Sequence, residues 1–235
     1  MVINDVLSEL QSLSNPAKVL IFKRFFKTAP GQYGAGDQFL GLTVPQIRSV
    51  VKKYWQSLTL ADLDQLLRSP YHEHRTVALA SLCHQFSKFK NQQKSIFNFY
   101  LKHTSRINNW DLVDISALNI VGAYLLEQIN RSILTTLSQS KSIWERRISI
   151  ISTLTFIKNG QFGDTLAISK TLINDPEDLL HKAVGWMLRE VGKCDLKTLL
   201  NFLDEYATRL PRTALRYSIE KLPEAQRQYY LHLSS

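Results

Sequence analysis

Residues 147–154 read RISIISTL, a basic residue followed by a run of small and apolar side chains. Three more stretches share that phase: RTVALASL from Arg75, KAVGWMLR from Lys182 and RTALRYSI from Arg212. A fifth, DISALNIV from Asp114, keeps the run but opens on an acid. Their apolar residues recur at helical spacing. Each stretch follows another helical segment, with first helices expected near Thr59, Gln92, Arg131, Asp164 and Asp195, at intervals of roughly 31 to 39 residues. That interval fits degenerate, HEAT-like helical hairpins stacked into a solenoid with a concave binding surface. The expected fold class is an all-α solenoid.

Local signals place the helix ends. Asn15-Pro16 pairs an N-cap residue with Pro at the first helical position and opens a helix to about Lys27. Thr59 and Asp62 have the spacing of a capping box. Asp175-Pro176 is expected to open PEDLLHKAVGWMLREV, Asp195 to cap LKTLLNFLDEY, and Pro211 and Pro223 to begin two more helices. Four of the nine glycines fall in GQYGAGDQFLG, residues 31–41. They predict a turn or small hairpin, the only β element expected. With no Pro-, Gly- or Ser-rich linker, residues 1–235 read as one domain. Residues 1–58 form its N-terminal cap and 59–235 about five helical pairs.

Composition narrows the class. Of 235 residues 44% are hydrophobic and 21% charged, ordinary for a soluble globular chain. Nine glycines and seven prolines are too few for a β-sandwich. No stretch of about 20 residues is continuously apolar, so no membrane span is expected. MVINDVLSEL has acids and no basic start, which argues against a signal peptide. Cys83 and Cys194 make no disulfide framework and fit a reducing, cytoplasmic setting, as partly buried thiols. The histidines read as surface or capping residues, and Phe22, Phe25 and Phe26 as core. The net charge of +9 points to a polyanion, most often nucleic acid, against the plainer reading of a basic protein without an electrostatic partner.

The repeat alignment sets Arg75, Asp114, Arg147, Lys182 and Arg212 in one file, a basic stripe with a single acid. Trp110 and Asp114 are one helical turn apart and share a face. Trp144 and Arg147, and Trp186 and Arg189, occupy the neighbouring second helices. The plain readings are core packing for each Trp and a salt bridge from Asp114 to Arg147. The functional reading is a lone carboxylate between aromatic faces, with no metal cluster, no phosphate-cradling Gly loop and no cofactor implied. Such an acid suits stabilising an oxocarbenium-like sugar or positioning water. An alkylated, cationic base departs neutral, so no general acid is required.

NNWDLVDIS, SIWERRISII, LLHKAVGWMLREVGK and PRTALRYSIEKLP closely resemble the AlkD-type DNA alkylation-repair family, over nearly the whole chain. The resemblance implies HEAT-like repeats, duplex DNA on a basic concave face, and metal-free excision of N3- and N7-alkylated purines without base flipping. It makes Asp114 the catalytic aspartate, Trp110 and Trp186 the indoles that hold the sugar, and Arg147 a backbone contact. Phosphate contacts are expected at Arg75, Arg147, Lys182, Arg189, Arg212 and Arg216, in a monomer with no membrane partner. Two features differ. GQYGAGDQFLG resembles an insertion of AlkF- and AlkG-like relatives, which bind branched DNA with little or no excision, and Asn109 stands where active members tend to carry a second Trp. These favour an alternative, a non-catalytic binder of branched DNA that uses a hairpin at Tyr33–Phe39. A helical scaffold for an acidic protein is a third reading.

Overall fold

The computed structural model describes residues 2–233. Among them the chain is all-helical, with no β-strand. No helix is long and apolar enough to cross a membrane. Two compact units divide the chain, one ending at Ile120 and the other beginning at Val121.

The first unit holds α1 (Val2–Ser12), α2 (Pro16–Phe25), α3 (Val44–Tyr54), α4 (Leu60–Arg68), α5 (His72–Lys88), α6 (Gln93–Lys102) and α7 (Trp110–Ala117). Helix α5 is its centre and packs against α3, α4, α6 and α7. Val77, Leu79, Leu82 and Phe86 on α5 join Ile96, Tyr100, Leu112 and Val113 in the core. Local chemistry sets the ends as expected at α2 and α4. The Asn15 side chain accepts from Ala17 N–H at 3.1 Å. Thr59 and Asp62 form the reciprocal capping box at 3.2 and 2.9 Å.

The second unit holds α8 (Ala123–Leu125), α9 (Ser132–Ser138), α10 (Ile143–Lys158), α11 (Gly163–Thr171), α12 (Asp178–Cys194), α13 (Leu196–Tyr206), α14 (Arg212–Ser218) and α15 (Glu224–Leu233). Second helices α10, α12 and α14 lie side by side, and α9 neighbours α11 in the other layer. This is the hairpin-repeat arrangement read from the sequence. Helix α10 is buried on nearly every side by α9, α11 and α12, so its small polar residues must be satisfied internally. Ser149, Ser152 and Thr153 donate back to the carbonyls of Arg146, Ile148 and Ile150 at 2.6–2.7 Å.

Close approach of α12 to α14 is made by Gly185. A Cβ there would lie 2.5 Å from both the Ala214 carbonyl oxygen and Tyr217 Cβ. Alanine gains up to about 1 kcal/mol of helix propensity over glycine, but overpacking against backbone costs about 1–3 kcal/mol. Gly185→Ala is therefore expected to lower Tm by several degrees in a calorimetric melt; an unchanged or raised Tm would contradict this helix contact.

Two expectations fail. Asp175 does not cap α12, which begins at Asp178 with Glu177 before it. Its carboxylate is instead taken by Arg146, Nε to Oδ2 2.6 Å, a partner 29 residues away. Of the turn or small hairpin expected in the glycine segment, the turn forms and the hairpin does not. Residues 29–36 are successive turns, with positive φ at Gly31 and Gly36, and a single parallel bridge joins Gln38 to Tyr71. The reason is that its donors have other acceptors: buried Glu73 takes the N–H groups of Leu40, Gly41 and Leu42 at 3.0, 2.8 and 3.2 Å.

Candidate nucleic-acid site

The start of α7 carries the key side chains of the first unit. Asn109 is its N-cap, wholly buried, with extended backbone and a side-chain oxygen that accepts from Trp110 N–H at 2.8 Å. Asn is a strong N-cap residue and Trp is not, which gives Asn109 a structural reason. Leu112 and Val113 plug the core. Trp110 and Asp114, one turn apart, are both half-buried and reach the surface. The Trp110 ring lies 5.9 Å from Phe26, nearly parallel, and meets Phe25 edge-on at 5.9 Å. Phe26 continues into Phe39 (5.3 Å) and the His72 ring (4.7 Å). The indole thus stands at the end of an aromatic column.

A charge network underlies that column. His72 is buried, with Nε2 2.8 Å from Asp111 and Nδ1 3.3 Å from Asp37. Asp37 also pairs with Arg75 at 2.7 Å and accepts from Asn108 Nδ2 at 2.9 Å. Burial alone disfavours the imidazolium, but the bonds to Asp111 and Asp37 outweigh it and raise the His72 pKa to about 9. Burial likewise opposes ionised Asp37, yet His72, Arg75 and Asn108 hold its carboxyl below the usual range. His74 goes the other way: burial, with the Arg75 cation nearby, pushes it down to about 4, so it is neutral. Among the histidines, His84 and His232 are exposed and His103 caps the end of α6 as expected, while His72 and His74 are instead buried and hydrogen-bonded.

Several phosphate candidates have structural work instead. Arg75 is buried against Asp37 and donates to the Ser69 carbonyl at 2.8 Å. Arg147 is buried and donates to the Leu179 carbonyl at 2.5 Å. Both sit in the first turns of second helices, where each guanidinium reaches a backbone carbonyl outside its own helix. Lys182 pairs with Asp178 at 2.6 Å, and Arg189 with Glu220. Arg212 is exposed and donates to the Leu231 carbonyl at 2.7 Å; Arg216 is exposed. The file is not a uniform stripe of free cations. Trp144 is core, while half-buried Trp186 donates from Nε1 to Glu190 at 3.2 Å. Tyr33 is half-buried beneath Lys27 Nζ, 5.9 Å from its ring centre. Cys83 is half-buried and Cys194 exposed, both free.

A family model described as DNA alkylation repair enzyme matches residues 6–222. The chain belongs to that family. Its members are DNA repair proteins, which makes DNA the partner class of this DNA alkylation repair protein. Its fold is shared with a solved structure described as a predicted DNA alkylation repair enzyme from Enterococcus faecalis. That likeness has a TM-score of 0.71 at 16% identity and covers 90% of this chain and 97% of that one. No curated protein matches the sequence.

In this repair protein, sequence reasoning missed Asp37, His72, Glu73 and Asp111. Asp37 and Asp111 are 35 and 39 positions from His72. The only signal was the pair of polar clusters YHEHR and NNWD beside apolar helices, which sequence spacing alone does not connect.

Proposed function

We propose that the chain is a monofunctional DNA glycosylase that hydrolyses the N-glycosidic bond of N3- and N7-alkylated purines in duplex DNA, as a monomer and without a cofactor. The observation that carries this reading is the division of labour on α7. Asp111 is committed to His72, Leu112 and Val113 to the core, and Asp114 reaches the surface one turn from Trp110. A cationic purine leaves as the C1′–N bond breaks, taking the electron pair and becoming neutral. The Asp114 carboxylate stabilises the sugar cation left behind and orients a water, which adds to C1′ and loses a proton. Trp110 supplies an aromatic wall against the sugar. Arg147, buried on the Leu179 carbonyl, holds the fold and not the DNA backbone. Of the phosphate candidates Arg212 and Arg216 are exposed, and Lys182 and Arg189 meet phosphate by exchanging the Asp178 and Glu220 carboxylates for it.

The test is release of free 7-methylguanine or 3-methyladenine from methylated duplex DNA by the full chain. Release supports the glycosylase. Asn109, taken up as the N-cap of α7, favours a second reading, a non-catalytic binder of branched DNA. No release, with four-way junctions bound more tightly than linear duplex, would establish that reading instead.

A further inference from the structure

Helix α2 is unlike the other long helices of the described residues, because it buries nothing. Leu20, Ile21 and Phe25 are 75%, 64% and 60% exposed on a helix of 10 residues. Apolar surface gathered in this way marks a contact site. Its charge is equally one-sided. From Leu10 to Gly36 the chain has no acid, while Lys18, Lys23, Arg24 and Lys27 are all basic. Among the described residues none of these four has a carboxylate partner.

Beside α2 lies an open cleft of about 720 Å³, whose lining includes Leu20, Lys23, Arg24, Thr28, Gln32 and Gln38. The Gln32 side-chain oxygen holds Ala29 N–H at 3.1 Å, which leaves its amide donors for a ligand, and Gln38 is exposed. The acid of the lining, Asp37, is already paired with Arg75 and His72.

We infer that this cleft is a second nucleic-acid site, which takes an unpaired, extrahelical nucleotide of distorted DNA. Leu20 packs on the base, the two glutamines read its polar edge, and Lys23 and Arg24 hold the flanking phosphates. The inference rests on the DNA-binding reading above. The cleft is joined to the candidate site of the same unit through Asp37 of its lining, which is bonded to His72, the partner of Asp111 on α7. An apolar wedge with cations at its sides suits unstacked bases.

The experiment compares two duplexes of one sequence, fully paired and with a single-nucleotide bulge, by fluorescence anisotropy with the full chain. Wild type is expected to prefer the bulged duplex about tenfold, the effect of one base held against an apolar surface. Leu20→Ser, at a position too exposed to disturb folding, is expected to abolish the preference and leave paired-duplex affinity unchanged. Lys23→Ala with Arg24→Ala should reduce the slope of log affinity against log salt by about 1–2 on bulged DNA. Equal binding of both duplexes by wild type, or a preference that survives Leu20→Ser, would overturn the inference. Retention of wild type on phosphatidylserine vesicles, lost with Leu20→Ser, would make α2 a membrane face and also overturn it. Absence of all DNA binding would reject the proposed function itself.

Discussion

Asp114→Asn is expected to slow release of 7-methylguanine from methylated duplex DNA at least about a hundredfold, the usual cost of one preorganised electrostatic contact to a developing charge. The amide keeps the size and hydrogen-bonding reach of the acid and loses only its charge. A carboxylate matters most when positive charge has grown on the sugar, so the loss falls on the chemical step. Ground-state DNA binding should hold or tighten, because removing an anion removes a repulsion from phosphate. Single-turnover release and duplex affinity, measured on the same preparations, separate the two effects. Asp111→Asn is the contrast. That acid lies three residues away and is bonded to buried His72, so its loss should lower Tm. Equal release rates for wild type and Asp114→Asn would remove Asp114 from the reaction.

What could be read from the sequence was what is local. The caps at Asn15, Thr59 and Asp195 depend on side chains two or three residues from the N–H groups they hold, and all three form. The second helices were legible because runs such as RISIISTL must pack closely against neighbouring helices. Trp110 and Asp114 were placed one turn apart by helical period alone, and α7 holds them so. Charge sign was visible, but burial was not. Arg75 and Arg147 looked like Lys182 and Arg212 in the alignment, yet the first two are 4% and 5% exposed and serve backbone carbonyls. Phe25 erred in the opposite direction, a core expectation that the fold leaves at the surface.

The glycine segment shows why the remainder was hidden. Glycine-rich turns beside short extended stretches suggest a hairpin, since paired strands are the usual acceptors for such backbone. Here one carboxylate, Glu73, accepts three successive N–H groups from more than thirty residues away. A charged acceptor makes stronger hydrogen bonds than a carbonyl, and α5 holds it rigidly in the core. The same first turn of α5 supplies His72 and Arg75, so residues 37–42 are tied down by five side-chain contacts from one short stretch, YHEHR. Nothing in residues 31–41 themselves records this.

The last of those contacts gives the protein a specific pH dependence. His72 faces Asp37 of the glycine segment and Asp111 of α7, with Arg75 of its own helix also near. Its folded pKa of about 9 stands above the 6.5 of an ordinary imidazole. Below pH 6.5 both the folded and unfolded forms carry the proton, and the full stabilisation is present. Between 6.5 and 9 the unfolded form binds less proton than the folded one, so stability falls as pH rises. Above 9 the contribution is gone. A shift of that size corresponds to about 3 kcal/mol. Urea unfolding from pH 6 to 10 is expected to show this loss. His72→Gln, which keeps a donor to one carboxylate but never the charge, should be less stable by a similar amount at pH 6 and nearly flat thereafter. Parallel curves for wild type and variant would mean that His72 is neutral in the fold, and that the two carboxylates are held together by Arg75 and backbone alone.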